Sequence, residues 1–150
     1  MKGLLQGLRI TARNLVGSFR DPERLTTVAY PEQKLALPPQ FRSFPFLVAG
    51  SAEDPIGSLR CVACLICQKE CPPACIHIER STDKKPDAAG KPQFYPAQFD
   101  IDFSVCMNCG ICAEVCPFDA IRMGQDYEIA TEERALALTW NRAQLTRAVP

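Results

Sequence analysis

Apolar residues in the first twenty positions, MKGLLQGLRITARNLVGSFR, fall at Leu4, Leu5, Leu8, Ala12, Leu15, Val16 and Phe19. This i, i+3, i+4 recurrence is the stripe of an amphipathic helix. Lys2, Arg9, Arg13 and Arg20 occupy its other sides. The pattern predicts a helix lying on a membrane surface or a membrane partner, apolar face down and basic face toward headgroups. Packing on the rest of its own chain is the plainer alternative. The periodicity then stops. Residues 21–48, DPERLTTVAYPEQKLALPPQFRSFPFLV, hold five prolines, which predict an extended, irregular connector draped over a partner.

Further along, the rhythm shortens to two. CIHIE (75–79) and AIRM (120–123) alternate as strands do, and FYPAQFDIDFSV (94–105) puts Phe99, Ile101 and Phe103 on one face of another strand. STDKKPDAAGKPQ (81–93) reads as a solvated loop, and YEIA (127–130) as a short strand. TEERALALTWNRAQLTRA (131–148) reads as a helix with Thr131 as its cap and Glu132 and Glu133 in its first turn. The capping box is incomplete, because Arg134 stands where Glu or Gln would close it. The predicted organisation is therefore a helix over 1–20, a connector over 21–50, a central domain over 51–130 and a helical extension over 131–150.

The central domain repeats itself. At an offset of 45 residues, Cys61, Cys64, Cys67, Cys71 and Pro72 match Cys106, Cys109, Cys112, Cys116 and Pro117. Beyond the prolines, Cys75 lies over Ala120, Ile76 over Ile121, His77 over Arg122 and Ile78 over Met123. Each copy predicts a tight cysteine loop, a short helical segment reaching the fourth cysteine, a proline stop and a strand.

Both copies read C-x2-C-x2-C-x3-C-P, the spacing of bacterial ferredoxins. Three cysteines on one curling loop converge on one cubane, and the fourth points away to the other cluster. One ligand set is then Cys61, Cys64, Cys67 and Cys116, and the other Cys106, Cys109, Cys112 and Cys71. Zinc sites pair two C-x2-C knuckles across a spacer, which is not the pattern here. Soft thiolates favour iron–sulfur clusters. Val62, Leu65, Ile66, Met107, Ile111 and Val115 are placed to shield the clusters from water, and loop amides, Gly110 among them, to donate to sulfur. The expected cofactors are two [4Fe-4S] clusters, which also staple a small core.

Nine cysteines in 150 residues, with neither a secretory signal nor an apolar run long enough to span a bilayer, fit a reducing compartment where thiols bind metal. The net charge of zero argues against nucleic acid as a partner. It hides an asymmetry: residues 1–50 hold seven Lys and Arg against three Asp and Glu, and residues 51–150 hold ten against fourteen. The basic portion suits an acidic partner surface or anionic headgroups. The ninth cysteine, Cys75, reads as a buried non-ligand, and the single histidine, His77, as an outward strand residue. Trp140, Tyr95 and Tyr127 read as packing residues. No nucleophile–base pair, phosphate loop or flavin fingerprint is present, so the chain carries electrons and has no catalytic site of its own.

YPEQKLALPPQFRSFPFLV, the two motifs and FDAIRMGQDYEIAT together resemble the two-cluster ferredoxin subunit, subunit I, of respiratory complex I, NADH:quinone oxidoreductase, over about residues 1 to 135. The resemblance implies an α+β fold with a pseudo-symmetric two-[4Fe-4S] ferredoxin-like core. It implies an electron relay in a proton-translocating complex, passing electrons toward a terminal cluster and quinone in neighbouring peripheral-arm subunits. It also implies a peripheral location on the cytoplasmic face of the cell membrane, with the N-terminal helix beside a membrane-arm subunit. The equivalent ferredoxin-like subunit of a membrane-bound hydrogenase, or of a ferredoxin-fed relative of complex I, shares the motif. A free, diffusible ferredoxin would lack the basic, amphipathic extension.

Overall fold

The computed structural model describes residues 2–21, 24, 26–86, 91–133 and 137–148. The chain forms two compact units, Met1–Leu37 and Pro38–Pro150. In the first, helix α1 spans Lys2–Arg20, about 28 Å at the usual rise per residue. None of its residues is buried; Leu4, Leu5, Leu8, Leu15 and Phe19 all face solvent. Among the described residues no helix is long and apolar enough to cross a membrane.

The second unit contains, in chain order, β1 (Pro45–Ala49), α2 (Ile66–Lys69), β2 (Ile76–Pro86), β3 (Pro92–Asp102), α3 (Ile111–Glu114), β4 (Ile121–Met123), β5 (Thr139–Trp140), α4 (Arg142–Leu145) and β6 (Thr146–Ala148). Two three-stranded sheets result, ordered β4-β1-β6 and β2-β3-β5. The fold is α+β, as expected, and each repeat contributes one short helix and one following strand.

The predicted connector over 21–50 is corrected at its C-terminal end. Pro38 onward belongs to the second unit, and β1 is the middle strand of its sheet. PFLVA is a continuous apolar run with Leu47, Val48 and Ala49 almost wholly buried. A strand covered on both faces and paired on both edges reads that way rather than as an alternation. Pro45 stands at the strand's first position, where a missing N–H is tolerated.

The loop predicted over 81–93 is mostly hairpin. β2 runs to Pro86 and β3 begins at Pro92, in antiparallel register from Ile76↔Ile101 and Ile78↔Phe99 to Lys85↔Gln93, with irregularities around Arg80; residues 87–90 lie outside the described residues. The polar arm is held by cations over aromatic rings: Lys84 lies 4.9 Å and Arg80 5.1 Å from the Phe94 centroid, and Lys85 4.5 Å from that of Tyr95. Its solvated composition disguised it.

YEIA (127–130) is not a strand. Gly124 N–H donates to Phe44 O at 2.9 Å, the Ser43 hydroxyl donates to Asp126 O, and Tyr127 meets Phe41 edge-on at 6.3 Å. The segment is thus tied to residues 41–44 without strand pairing.

From Thr139 onward the helix predicted over 131–148 is replaced by β5, α4 and β6, while Ala137 is helical, its amide donating to Glu133 O at 3.3 Å; residues 134–136 lie outside the described residues. Thr131 makes a local turn, its hydroxyl accepting from Glu133 N–H at 3.1 Å. The capping box sits ten residues later. Asn141 accepts from the Ala143 and Gln144 amides, and Gln144 accepts from the Asn141 amide at 2.9 Å. Before it, β-branched Thr139 and aromatic Trp140 suit a strand better than a helix. They pair with Asp102 and Ile101. After it, β6 runs parallel to β1. The central domain therefore extends beyond the expected 51–130 on both sides. Its core joins Leu47, Ile76, Ile78, Phe99, Ile101, Phe103, Ile121 and Leu145. Phe103 stacks between Phe44 at 4.9 Å and Trp140 at 5.0 Å.

Candidate metal centres

Each cysteine loop is bent by left-handed residues at matching places. Ala63 (φ 50°) and Leu65 (φ 67°) in the first copy correspond to Asn108 (φ 53°) and Gly110 (φ 80°) in the second, and Ala74 (φ 52°) to Asp119 (φ 48°). Alternation of right- and left-handed residues turns successive amides toward one side and makes a concave, anion-attracting nest of the kind that cradles iron–sulfur groups. Gly110 has a second reason to lack a side chain, because a Cβ there would lie 3.0 Å from Arg42 Nη1. The third cysteines, Cys67 and Cys112, fall inside α2 and α3 and are buried. The fourth, Cys71 and Cys116, lie just past the helices rather than on them.

Two cavities open beneath these loops. The first is lined by Cys61, Cys64, Cys67 and Cys116. The second is lined by Cys106, Cys109, Cys112 and Cys71. Three cysteines of each cavity come from one repeat and the fourth from the other. The walls cross over in the same way. Ile78 and Ile121 line the first cavity, and Ile76 and Met123 the second. These four are two matched pairs of the repeat. Val62, Leu65 and Ile66 line the first cavity, and Met107 and Ile111 the second, as expected. Val115 lines neither.

Three of the cavity thiols resist ionisation in the metal-free chain. Burial pushes Cys61 up to about 11, with smaller additions from Cys116 and Cys64 and an opposing hydrogen bond from the Ala63 amide. Burial, then the neighbouring Cys61, pushes Cys67 up to about 12. Burial, then Cys106, pushes Cys112 up to about 12. Deprotonation of such a set needs a positive centre among the sulfurs, and metal binding then releases protons. Among the described residues no group of three or more His, Cys, Asp or Glu is placed to hold a single metal ion. The thiols line cavities instead of meeting at the ~2.3 Å bonding distance of one zinc. Four soft donors, apolar walls and inward amides fit a four-iron cluster in each cavity.

Cys75 is buried, as expected of it, and its place is more particular than the sequence implied. It lines the second cavity, and its Sγ lies 3.4 Å from Cys71 Sγ. Burial, then the contact with Cys71, raises its pKa. Ala120, its mate in the repeat, is buried against the first cavity, where its amide donates to Cys116 Sγ at 3.4 Å. His77 is outward, with Nε2 3.6 Å from Glu79 Oε1.

Two arginines were not legible as site residues. Arg42 donates to Cys109 O and pairs with Glu114. Arg80 Nε donates to Ala63 O at 3.1 Å. Each pins the carbonyl side of one cysteine loop, leaving the amide side for the cavity, and each brings positive charge near it. Both come from segments read as connector or loop edge, without a motif to mark them.

A family model described as a 4Fe-4S dicluster domain matches residues 60–120. Among curated proteins, NADH-quinone oxidoreductase subunit I 2 of Geobacter metallireducens is 30% identical, covering 87% of this chain and 87% of that protein. Proteins of the same name from Cereibacter sphaeroides and Streptomyces coelicolor are 37% and 35% identical over 89% and 85% of this chain, and 72% and 59% of their own. The chain thus spans about three fifths of the Streptomyces relative, and 48% of one from Symbiobacterium thermophilum. Of solved structures, a chain of the membrane-bound sulfane sulfur reductase, an archaeal respiratory membrane complex, has a TM-score of 0.49 at 22% identity over 77% of this chain and 54% of that chain.

Proposed function

The chain belongs to the family of NADH-quinone oxidoreductase subunit I, and from that premise we propose that it is the two-cluster electron relay of such a complex. The observation that carries this reading is the pair of four-thiol cavities, each completed by a cysteine from the other repeat. Cys61, Cys64, Cys67 and Cys116 hold one [4Fe-4S] cluster, and Cys106, Cys109, Cys112 and Cys71 the other. The clusters supply one-electron redox chemistry. The chain's own residues exclude water, hold the sulfurs at fixed spacing and donate amides to them. Arg80 offsets part of the negative charge of the thiolates, whereas Arg42 is balanced by Glu114.

The partners are the neighbouring peripheral-arm subunits, including those bearing the terminal cluster and the quinone site, and a membrane-arm subunit near α1. The chain works at the cytoplasmic face of the cell membrane. Support comes from α1, whose apolar stripe is wholly exposed and whose flanks carry Lys2, Arg9, Arg13 and Arg20.

The test uses membranes carrying the native chain or Cys116→Ala. NADH oxidation by quinone is compared with oxidation by ferricyanide, which takes electrons upstream. Loss of the quinone reaction alone, with the complex assembled, is the expected result. If both rates were unchanged, the NADH route would not pass through this chain, and the reading as a hydrogenase or ferredoxin-fed subunit would replace it.

A further inference from the structure

Cys116 is the ligand that the first cavity takes from the other repeat, so its aim depends on how the two repeats are held together. Two links hold them at this point. Backbone makes the first. Val48 of β1 lies between Arg60 and Ala120, accepting from the Arg60 N–H at 3.1 Å and donating to Ala120 O at 2.9 Å. Side chains make the second. Arg60, which immediately precedes Cys61, reaches Asp119, three residues after Cys116; Nη1 donates to Oδ2 at 3.3 Å. Arg122 grips the same carboxylate by both oxygens, Nε donating to Oδ1 at 2.9 Å and Nη2 to Oδ2.

The second site repeats the backbone link alone. There Asp102 of β3 takes the place of Val48, accepting from the Val105 N–H at 3.4 Å and donating to Cys75 O at 2.9 Å. At the offset of 45 residues, the mates of Arg60 and Asp119 are Val105 and Ala74. Neither side chain carries a charge, so no ion pair can form between them.

We propose that Arg60 and Asp119 are positioning residues whose ion pair clasps the Cys116 turn to the start of the first cysteine loop, so that charge helps retain the first cluster and not the second. The inference rests on the ligand sets given above. Cys61, Cys64 and Cys67 share one loop and move together, whereas Cys116 can part from them. Its turn is stiff. The Asp119 N–H donates to Cys116 O and the Ala120 N–H to Cys116 Sγ, each at 3.4 Å. Drawing Asp119 toward Arg60 therefore draws the Cys116 sulfur over the first loop. An isolated exposed pair contributes little, because water and side-chain freedom compete with it. This one is a network. Arg122 holds the carboxylate as a fork, which fixes one partner in place for Arg60. The left-handed backbone at Asp119 (φ 48°), a conformation Asp tolerates better than most residues, fixes where the side chain leaves the turn. Beneath the pair, Val48 is wholly buried.

The test follows each cluster of the full, two-cluster chain by electron paramagnetic resonance while an iron(II) chelator removes iron. The two signals are assigned with Cys61→Ala and Cys106→Ala. Asp119→Gly keeps the left-handed turn and removes the carboxylate; Arg60→Gln removes the opposite charge. Each should speed loss of the first cluster about three- to fivefold, the scale of an exposed ion-pair network, and leave loss of the second unchanged. The double variant should be no faster than Asp119→Gly alone, because both changes remove one contact. High salt should bring the native chain toward the variants by screening. Arg60→Lys keeps the charge and should stay near the native rate. An unchanged first cluster in either single variant, equal acceleration at both clusters, additive effects in the double variant, or an Arg60→Lys rate equal to that of Arg60→Gln would each overturn the proposal. Faster loss of the second cluster alone would overturn it too, by moving Cys116 to the other ligand set. None of these readouts is the quinone assay, so the relay reading stands or falls separately.

Discussion

Leu47 faces Ile121 across the antiparallel ladder of β1 and β4, just as Ile101 faces Ile76 across β3 and β2. Each strand that follows a cysteine motif is paired by the strand that precedes the other motif. β1 is therefore the first repeat's counterpart of β3, and the two halves interlock through backbone as well as through cysteine.

Leu47 is 1% exposed at the middle of this arrangement and also lines the first cavity. Leu47→Ala is expected to destabilise the domain by about 2–5 kcal/mol, the usual cost of a large-to-small change in a packed core. Denaturant unfolding of the cluster-loaded chain measures it. A loss below about 1 kcal/mol would mean that β1 is peripheral, as its proline-rich approach suggests.

The crossed ligand sets predict which variants share a phenotype. Cys116→Ala should remove the same resonance signal as Cys61→Ala, Cys64→Ala or Cys67→Ala, and leave the signal lost in Cys106→Ala. If Cys116→Ala matched Cys106→Ala instead, each repeat would hold its own cluster.

Deleting residues 2–20 should leave iron and sulfide at two clusters per chain, because α1 contributes no buried residue. Membrane attachment should weaken, most at high salt, where the attraction between basic side chains and headgroups is screened. Equal sedimentation with membranes, with and without α1, would remove its docking role.

The metal-free chain should lose stability in alkali. Folded Cys61, Cys67 and Cys112 have values raised from 9.0 to about 11, 12 and 12 by burial. Between 9 and those values the folded chain holds more protons than the unfolded one, so stability falls as pH rises. Their contribution is complete below pH 9 and lost as pH climbs through 11 to 12. Thermal unfolding of the metal-free chain from pH 8 to 11 should show a falling midpoint. The cluster-loaded chain, whose thiols are already ionised, should show no such slope from these groups.

The sequence made the cysteine framework legible because ligand chemistry demands fixed spacing, and the same spacing occurs twice. The strands after each motif were legible for a similar reason: Ile76 and Ile78, like Ile121 and Met123, must reach cavities on one side of an alternating chain. β1 was not, because residues 50–60 separate it from Cys61 and break the offset that aligns the motifs. The prolines before it also suggested that nothing there was paired. The C-terminal segment failed for another reason. Its local signals, Thr131 with two glutamates, mark a helix start but do not reveal that a strand follows at Thr139. The pairing of Trp140 with Ile101, and of Thr146 with Leu47, depends on edges that exist only once the core has formed. Cys75 was read correctly as buried, but its distance from Cys71 depends on the turn at Ala74, whose left-handed backbone no motif marks.

The parallel pairing of β1 with β6 joins Leu47 to Thr146, nearly a hundred positions apart in a chain of 150. Contacts this distant close late, because the entropy of a long loop is lost before the contact repays it. During synthesis β1 emerges early, with its apolar run ready, and waits for residues 146–148 to follow it. The first cavity waits too, since Cys116 is made long after Cys61. The first ligand set is thereby complete only after Cys116 has emerged, and a chain truncated anywhere before residue 146 leaves one edge of β1 open to a neighbouring molecule.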